Sequence, residues 1–259
     1  MIDRIKEAFE NGKAFIPFIT SGDPSLETTE QLVYAMDDAG ADIIELGVPF
    51  SDPTAEGPVI QEANLRALSA GTTTDKIFSM IAKIRQKTQI PLILMTYANV
   101  VYSYDTELFL KKAASVGVDG LILADVPYEE KEEFSDVCDE YGLCLISMVA
   151  PTSKERIKMI AKDAKGFVYC VSSLGVTGTR KEIKTDVSSM VKLVKEANDI
   201  PCAIGFGISM PETAREMALQ SDGAIVGSAI VKICEKYGAE SVPYVSEYVK
   251  QMKEAVSKF

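Results

Sequence analysis

The strongest constraint on how this chain folds is a rhythm: short apolar runs return at a spacing of roughly thirty residues, with amphipathic segments between them. The runs are "AFIPFIT" (14–20), "ADIIELG" (41–47), "PLILMTY" (91–97), "GLILADV" (120–126), "LCLISMV" (143–149), "GFVYCVS" (166–172), "PCAIGFG" (201–207) and "GAIVGSA" (223–229). Each has the length of a strand. The segments between, such as "SLETTEQLVYAMDDA" (25–39), "TTDKIFSMIAKIRQK" (73–87), "EEKEEFSDVCDEY" (129–141), "SKERIKMIAKDA" (153–164) and "DVSSMVKLVKEAN" (186–198), repeat their apolar residues every three or four positions, as helices do. Strands alternating with helices imply a parallel sheet joined by crossovers.

The units also echo one another. "DDAGADIIELGVP" (37–49) and "ASVGVDGLILADVP" (114–127) each run from a helix end through Gly and Asp into a strand and a Val-Pro turn. "TQIPLILM" (88–95) and "NDIPCAIG" (198–205) both enter their strand through Ile-Pro, where a missing backbone donor is tolerated. Eight such units in 259 residues predict an α/β fold, a (β/α)8 TIM barrel filling residues 1–259 as a single domain. An open doubly wound sheet is the alternative; no G-x-G-x-x-G follows any of the strands to support it.

Composition narrows the chemistry. The net charge of −11 argues against nucleic acid or an anionic membrane surface as partner. The opening "MIDRIKEAFENGK" lacks the apolar core of a signal peptide and no run reaches membrane-spanning length, so a cytoplasmic protein is expected. Histidine is absent, which removes His triads, His metal ligands and His proton transfer together. Cys138, Cys144, Cys170, Cys202 and Cys234 are widely spaced with no C-x-x-C, and read as free, buried thiols. Proton transfer falls to carboxylates, Tyr, Lys or Cys.

In a barrel the functional residues stand at the carboxyl ends of the strands. Those ends carry Thr20 with "SGDP", Glu45 with the long loop to Pro58, Tyr97-Ala98-Asn99, Asp125, Met148-Val149, Tyr169 with "VSSLGVTGTR", "GFGIS" (205–209) and "GSA" (227–229). The last two, with Gly227-Ser228 opening a helical "AIVKICEKY", supply backbone donors that suit a phosphate. "SSLGVTGTRKEIK" (172–184), rich in small polar residues beside them, reads as a lid over substrate. Glu45 sits in a period-2 strand between Ile44 and Leu46; facing the barrel, it would be desolvated and its pKa raised, as a general acid needs. Glu56, just before Gly57-Pro58 and a helical run, is either a second working carboxylate or a helix-start charge.

The signatures "PFITSGDP", "ELGVPFSDPTAEGPVIQEANLRAL", "MTYANVV", "ADVP", "YCVSSLGVTG", "GFGIS" and "IVGSAIV", in that order from residue 17 to residue 231, resemble those of the tryptophan synthase alpha chain family, and the short amphipathic opener fits its extra N-terminal helix. The resemblance implies retro-aldol cleavage of indole-3-glycerol phosphate to indole and glyceraldehyde 3-phosphate in tryptophan biosynthesis. It implies no metal or cofactor in this chain, and a pyridoxal-phosphate beta chain as partner in an alpha2beta2 heterotetramer. By likeness, Glu45 is the acid and Glu56 the second carboxylate. Phe18, Ile60, Tyr97, Ile122, Tyr169, Thr177 and Phe206 match the indole pocket and lid, Gly178, Gly207, Gly227 and Ser228 the phosphate loops, and Asp52, Pro53, Asn99 and Pro127 the face toward the beta chain.

One position departs from the pattern. Where the family usually has "SDPLADGP", this chain has "SDPTAEGP": Thr54 replaces an apolar residue and Glu56 an aspartate. The extra methylene moves the carboxyl by roughly 1.5 Å unless the loop retracts, and misplacement on that scale costs about a hundredfold in rate. Two other classes fit the residues less well: a stand-alone phosphosugar lyase, and a weakly catalytic allosteric activator of the beta chain.

Overall fold

The computed structural model describes residues 3–172, 186–205 and 207–257. Its strands are β1 (Ala14–Thr20), β2 (Ile44–Gly47), β3 (Leu92–Thr96), β4 (Gly120–Leu123), β5 (Cys144–Leu145), β6 (Ser147–Val149), β7 (Val168–Val171), β8 (Cys202–Gly205) and β9 (Gly223–Val226). They form one parallel sheet in the order β5-β4-β3-β2-β1-β9-β8-β7-β6. The two ends of that order are consecutive in the chain, so the sheet curls into a nearly closed barrel. All eight apolar runs become barrel positions. The fifth is divided at Ile146: its first half pairs with β4 and its second half with β7.

Alternation along the strands splits the apolar residues into two cores. Ile16, Phe18, Ile43, Ile93, Ile122 and Ile225 fill the barrel. Phe15, Ile44, Leu46, Leu92, Leu94 and Val226 face the surrounding helices. Glu45, between Ile44 and Leu46, therefore points inward with Ile43 and Phe18, its register partner on β1.

One arrangement recurs at the amino ends of three strands, and at β2 it makes the strand begin later than its apolar run suggests. Asp42, Asp119 and Asp222 each stand just before a strand. The backbone N–H of each donates to the carbonyl of a residue opening the neighbouring strand (Phe15, Leu92 and Cys202), and its carboxylate accepts that same residue's N–H at 2.7, 2.8 and 2.9 Å. A cation neutralises each: Lys253 at Asp42, Arg4 and Arg85 at Asp119, Lys195 at Asp222. These carboxylates satisfy backbone donors at the amino ends of the strands, the end that serves stability in this fold.

The opener is a helix, Arg4–Glu10, whose Asp3 side chain accepts from Lys6 N–H at the first turn. It plugs the floor: Ile5 is buried in the inner core and the Phe9 ring lies 5.5 Å from that of Phe167. On the opposite rim, Pro58–Ser69 is the helix that matters for the site. Pro58 starts it at a position where no N–H is needed, and Ile60, Ala63, Asn64 and Ala67 form its buried face. Arg66 on that helix grips Asp23 with two hydrogen bonds of 2.8 Å, fixing the helix to the loop after β1. Asp23 is almost wholly buried, so the fork also satisfies a carboxylate that water does not reach.

Candidate active site

At the carboxyl end of the barrel, Phe18, Glu45, Glu56, Ile60, Met95, Tyr169, Gly207, Ile208, Ile225, Gly227 and Ser228 wall one cavity. Glu45 and Glu56 are thus brought together, from a strand and from the loop that follows it. Glu45 is 1% exposed, its Oε1 accepts no hydrogen bond from the described residues, and burial pushes its pKa up to about 8. Tyr169 is buried close enough for the Glu45 charge to raise its phenol further, after burial itself. The ring lies across β8: a Cβ on Gly205 would stand 2.3 Å from the Tyr169 hydroxyl, so only glycine fits there.

Glu56 differs in kind. It is 8% exposed; burial raises its pKa to about 7, partly offset by hydrogen bonds from Asn64 and from the Tyr97 hydroxyl. Asn64 Nδ2 donates to Glu56 Oε2 at 2.6 Å. The helix-start reading of Glu56 gives way to this: its carboxylate is held by side chains against the buried face of Pro58–Ser69.

Gly227, on the same cavity wall, precedes the helix Ser228–Tyr237, whose first turn carries no side-chain cap. Its leading N–H groups and the positive pole of the helix face a cavity wall shared with Gly207, which adopts φ +84°. Such an end suits an anion.

Eight of the sequence-predicted residues wall the cavity: Glu45, Glu56, Phe18, Ile60, Tyr169, Gly207, Gly227 and Ser228. Thr177, Gly178 and Phe206, and with them nearly all of the expected lid, lie outside the described residues. Ile122 is buried in the inner core, and Tyr97 stands behind Glu56, its ring tilted against Phe50 at 5.4 Å and its hydroxyl accepting from Ala55 N–H at 3.2 Å. Neither reaches the cavity wall. Sequence reasoning missed Met95, Ile208 and Ile225, although alternation from Ile93 already turns Met95 inward. It also missed Asn64, hidden inside "VIQEANLRAL" as one polar residue on an apolar face.

Asp52, Asn99 and Pro127 are exposed and Pro53 half-buried; they follow β2, β3 and β4, with Asn99 in the first turn of the helix Ala98–Tyr104. Those strands are neighbours, so the four residues share one sector of the rim. A larger cavity of about 600 Å³ opens beside Ala55 and Pro127, reaching Met148 and Arg156, and contains neither carboxyl. Both candidate carboxyls line the smaller one. The thiols are free, with Cys144 half-buried and the other four buried. Among the described residues no group of His, Cys, Asp and Glu could hold a metal ion, and no helix is long and apolar enough to cross a membrane.

Comparison with known proteins agrees with this geometry. The family model described as tryptophan synthase alpha chain matches residues 5–257. The tryptophan synthase alpha chain of Thermoanaerobacter sp. (strain X514) is 47% identical, covering 98% of this chain and 100% of that protein, and the one from Lacticaseibacillus casei is 43% identical, covering 99% and 96%. Among solved structures, tryptophan synthase subunit alpha from Legionella pneumophila str. Paris superposes with a TM-score of 0.89 at 36% identity, covering 99% of both chains. A chain of the tryptophan synthase complex from Pyrococcus furiosus does so with a TM-score of 0.86 at 34% identity, covering 94% of this chain and 99% of that one. With matches of this identity over nearly its whole length, the chain belongs to the tryptophan synthase alpha chain family.

Proposed function

We propose that Glu45 and Glu56 are the acid and base with which this chain cleaves indole-3-glycerol phosphate to indole and glyceraldehyde 3-phosphate. The observation that carries the reading is their shared cavity, walled by both carboxyls and by Gly207, Gly227 and Ser228 at an uncapped helix start. The phosphate is bound by those backbone donors, and the indole ring lies between Phe18, Ile60 and Tyr169.

The proton inventory closes with two carboxyls. Glu45 enters protonated and gives its proton to indole C3, while ionised Glu56 takes the proton from the ring N–H. The resulting C=N bond is the electron sink for the next step. Glu45, now ionised, takes the proton of the side-chain hydroxyl; that carbon becomes a carbonyl and its bond to C3 breaks. The electrons return to the ring nitrogen, which recovers its proton from Glu56. Both carboxyls end as they began. A pKa of about 8 at Glu45 and about 7 at Glu56 favours this starting pair of states near neutrality.

The chain works in the cytoplasm as the alpha subunit of an alpha2beta2 assembly. An a2b2 tryptophan synthase complex is the assembly described for one Pyrococcus furiosus neighbour, which superposes with a TM-score of 0.85. The sector of Asp52, Pro53, Asn99 and Pro127 docks on the beta chain, and pyridoxal phosphate belongs to that partner. Indole release from indole-3-glycerol phosphate by the purified chain, with and without a beta chain, tests the reading. Cleavage that rises on adding the beta chain, and that Glu56→Ala nearly abolishes, is expected. Cleavage indifferent to the beta chain points to a stand-alone lyase, and beta-chain activation without any cleavage points to an activator.

A further inference from the structure

The loop 205–209 meets a tyrosine on each side. On the cavity side the Tyr169 ring crosses Gly205. On the outer side Tyr248, from the last helix, Val242–Ser257, donates its phenol hydrogen to the Ser209 carbonyl at 2.9 Å. Among the described residues this is the one side-chain bond to the backbone of 207–209. Ser209 stands two residues after Gly207 and directly before Met210, which leads into the helix Pro211–Leu219. Burial raises the Tyr248 phenol above its ordinary pKa, so the group stays a donor. The helix that carries it is itself fixed. Val245, Val249, Met252 and Val256 form its buried face, and it packs against the helices Leu26–Asp38 and Pro211–Leu219. At the floor its Lys253 bonds to the Asp42 carboxylate at 2.6 Å and to the Lys13 carbonyl at 3.1 Å. Tyr248 therefore reaches the loop from a rigid support.

We propose that Tyr248 is a positioning residue for phosphate: by holding the Ser209 carbonyl it keeps the Gly207 peptide turned toward the cavity wall that Gly227 and Ser228 share. This rests on the reading above, in which these backbone donors bind the phosphate of the substrate. It adds a residue that touches no substrate and lies beyond the last sequence signature, which ends at residue 231. The need for such a hold comes from Gly207. At φ +84° its backbone occupies a region that glycine enters and leaves at little cost, so nothing within the residue keeps its amide aimed. Ile208 is buried and ties the next residue to the outer core, but an apolar contact has no direction and does not set the rotation of a peptide. A hydrogen bond to the following carbonyl has direction and does. Its loss lowers the fraction of chains whose loop is ready for an anion, and the apparent affinity falls by that fraction.

Tyr248→Phe keeps the ring and removes the donor. Val249→Ala, one residue on, loosens the same helix from the core and leaves the bond in place. Two probes divide the cavity: glycerol 3-phosphate, titrated by calorimetry, reads the phosphate donors, and indole reads the ring pocket. The chain contains no tryptophan, so the emission of indole itself reports its binding. Tyr248→Phe is expected to raise the dissociation constant of glycerol 3-phosphate about fivefold, the size of losing one neutral hydrogen bond, while that of indole stays within about twofold. KM for indole-3-glycerol phosphate should rise with it, and kcat should change by less than about twofold. Val249→Ala should lower the urea midpoint and leave the ratio of the two constants as in the native chain. A glycerol 3-phosphate constant within about twofold of the native one in Tyr248→Phe, an equal weakening of both probes, or the same split in Val249→Ala overturns the proposal. So does a native chain that does not bind glycerol 3-phosphate. Cleavage is read separately: a native chain that binds both probes and releases no indole from indole-3-glycerol phosphate sinks the lyase reading, and the two constants still decide the role of Tyr248.

Discussion

A buried carboxyl with a raised pKa costs the fold more as pH rises, and Glu45, whose Oε1 has no partner among the described residues, offers a clean measurement of that cost. Its folded pKa of about 8 lies above the ordinary value of 4.5. The sign follows: the unfolded chain releases this proton first, so the contribution of Glu45 to native stability is greatest below about pH 4.5 and falls as pH rises toward 8. Each pH unit inside that window removes about 1.4 kcal/mol, so from pH 5 to pH 8 the loss is roughly 3 to 4 kcal/mol, a large share of a typical domain's stability. Glu45→Gln keeps the shape and removes the proton.

Urea unfolding followed by far-UV circular dichroism, at about pH 5 and about pH 8, compares the two proteins. Glu45→Gln should gain on the native chain by roughly 3 kcal/mol between the two conditions, while losing nearly all cleavage activity. Glu56 and the remaining carboxyls titrate in both proteins, so most of their contribution cancels in the difference. A stability difference that stays within about 0.5 kcal/mol at both pH values would mean that Glu45 is hydrated or paired, and the argument for its role as a neutral acid near pH 7 would fail.

Two further outcomes follow from the same structure. The pH profile of kcat/KM should be bell-shaped, rising near 7 as Glu56 ionises and falling near 8 as Glu45 loses its proton, the two limbs belonging to the pair; a profile flat from about pH 6 to pH 9 would contradict the assignment. At the floor of the barrel, Asp119 binds Leu92 N–H, Arg85 and Arg4 at 2.8, 2.7 and 2.8 Å, so Asp119→Ala should cost about 3 kcal/mol or more by leaving Arg85 buried without its carboxylate; a urea-unfolding loss below about 1 kcal/mol would show the cluster to be dispensable.

The barrel was legible because strand and helix periods are short-range properties of the chain. "AFIPFIT" becomes β1 residue for residue, since both its faces are covered and every position is buried. "ADIIELG" is shortened at its front because Asp42 turns its carboxylate to the backbone of Phe15, a tertiary bond that hydropathy does not register. The division of the fifth strand at Ile146 is of the same kind: its halves bond to different neighbours. Inward placement of Glu45 was deducible from alternation. The partner of Glu56 was not, because eight residues and a loop separate it from Asn64, and no periodicity states how far a side chain reaches.

The two ends of the barrel treat acidic residues oppositely, and the contrast explains how a chain this acidic keeps a protonated acid at its centre. At the floor, Asp42, Asp119 and Asp222 each meet a backbone N–H and a cation, so their charges are satisfied and stabilise the strand starts. At the mouth, among the described residues, no cation relieves the burial of Glu45, and Glu56 has only neutral donors. A lysine or arginine placed beside Glu45 would relieve the burial cost and stabilise the fold. It would also hold Glu45 ionised at neutral pH, leaving no proton for indole C3. In the mechanism proposed above, the lack of relief at the mouth is therefore a requirement of the reaction, and the three charged clusters at the floor supply stability where no proton has to move.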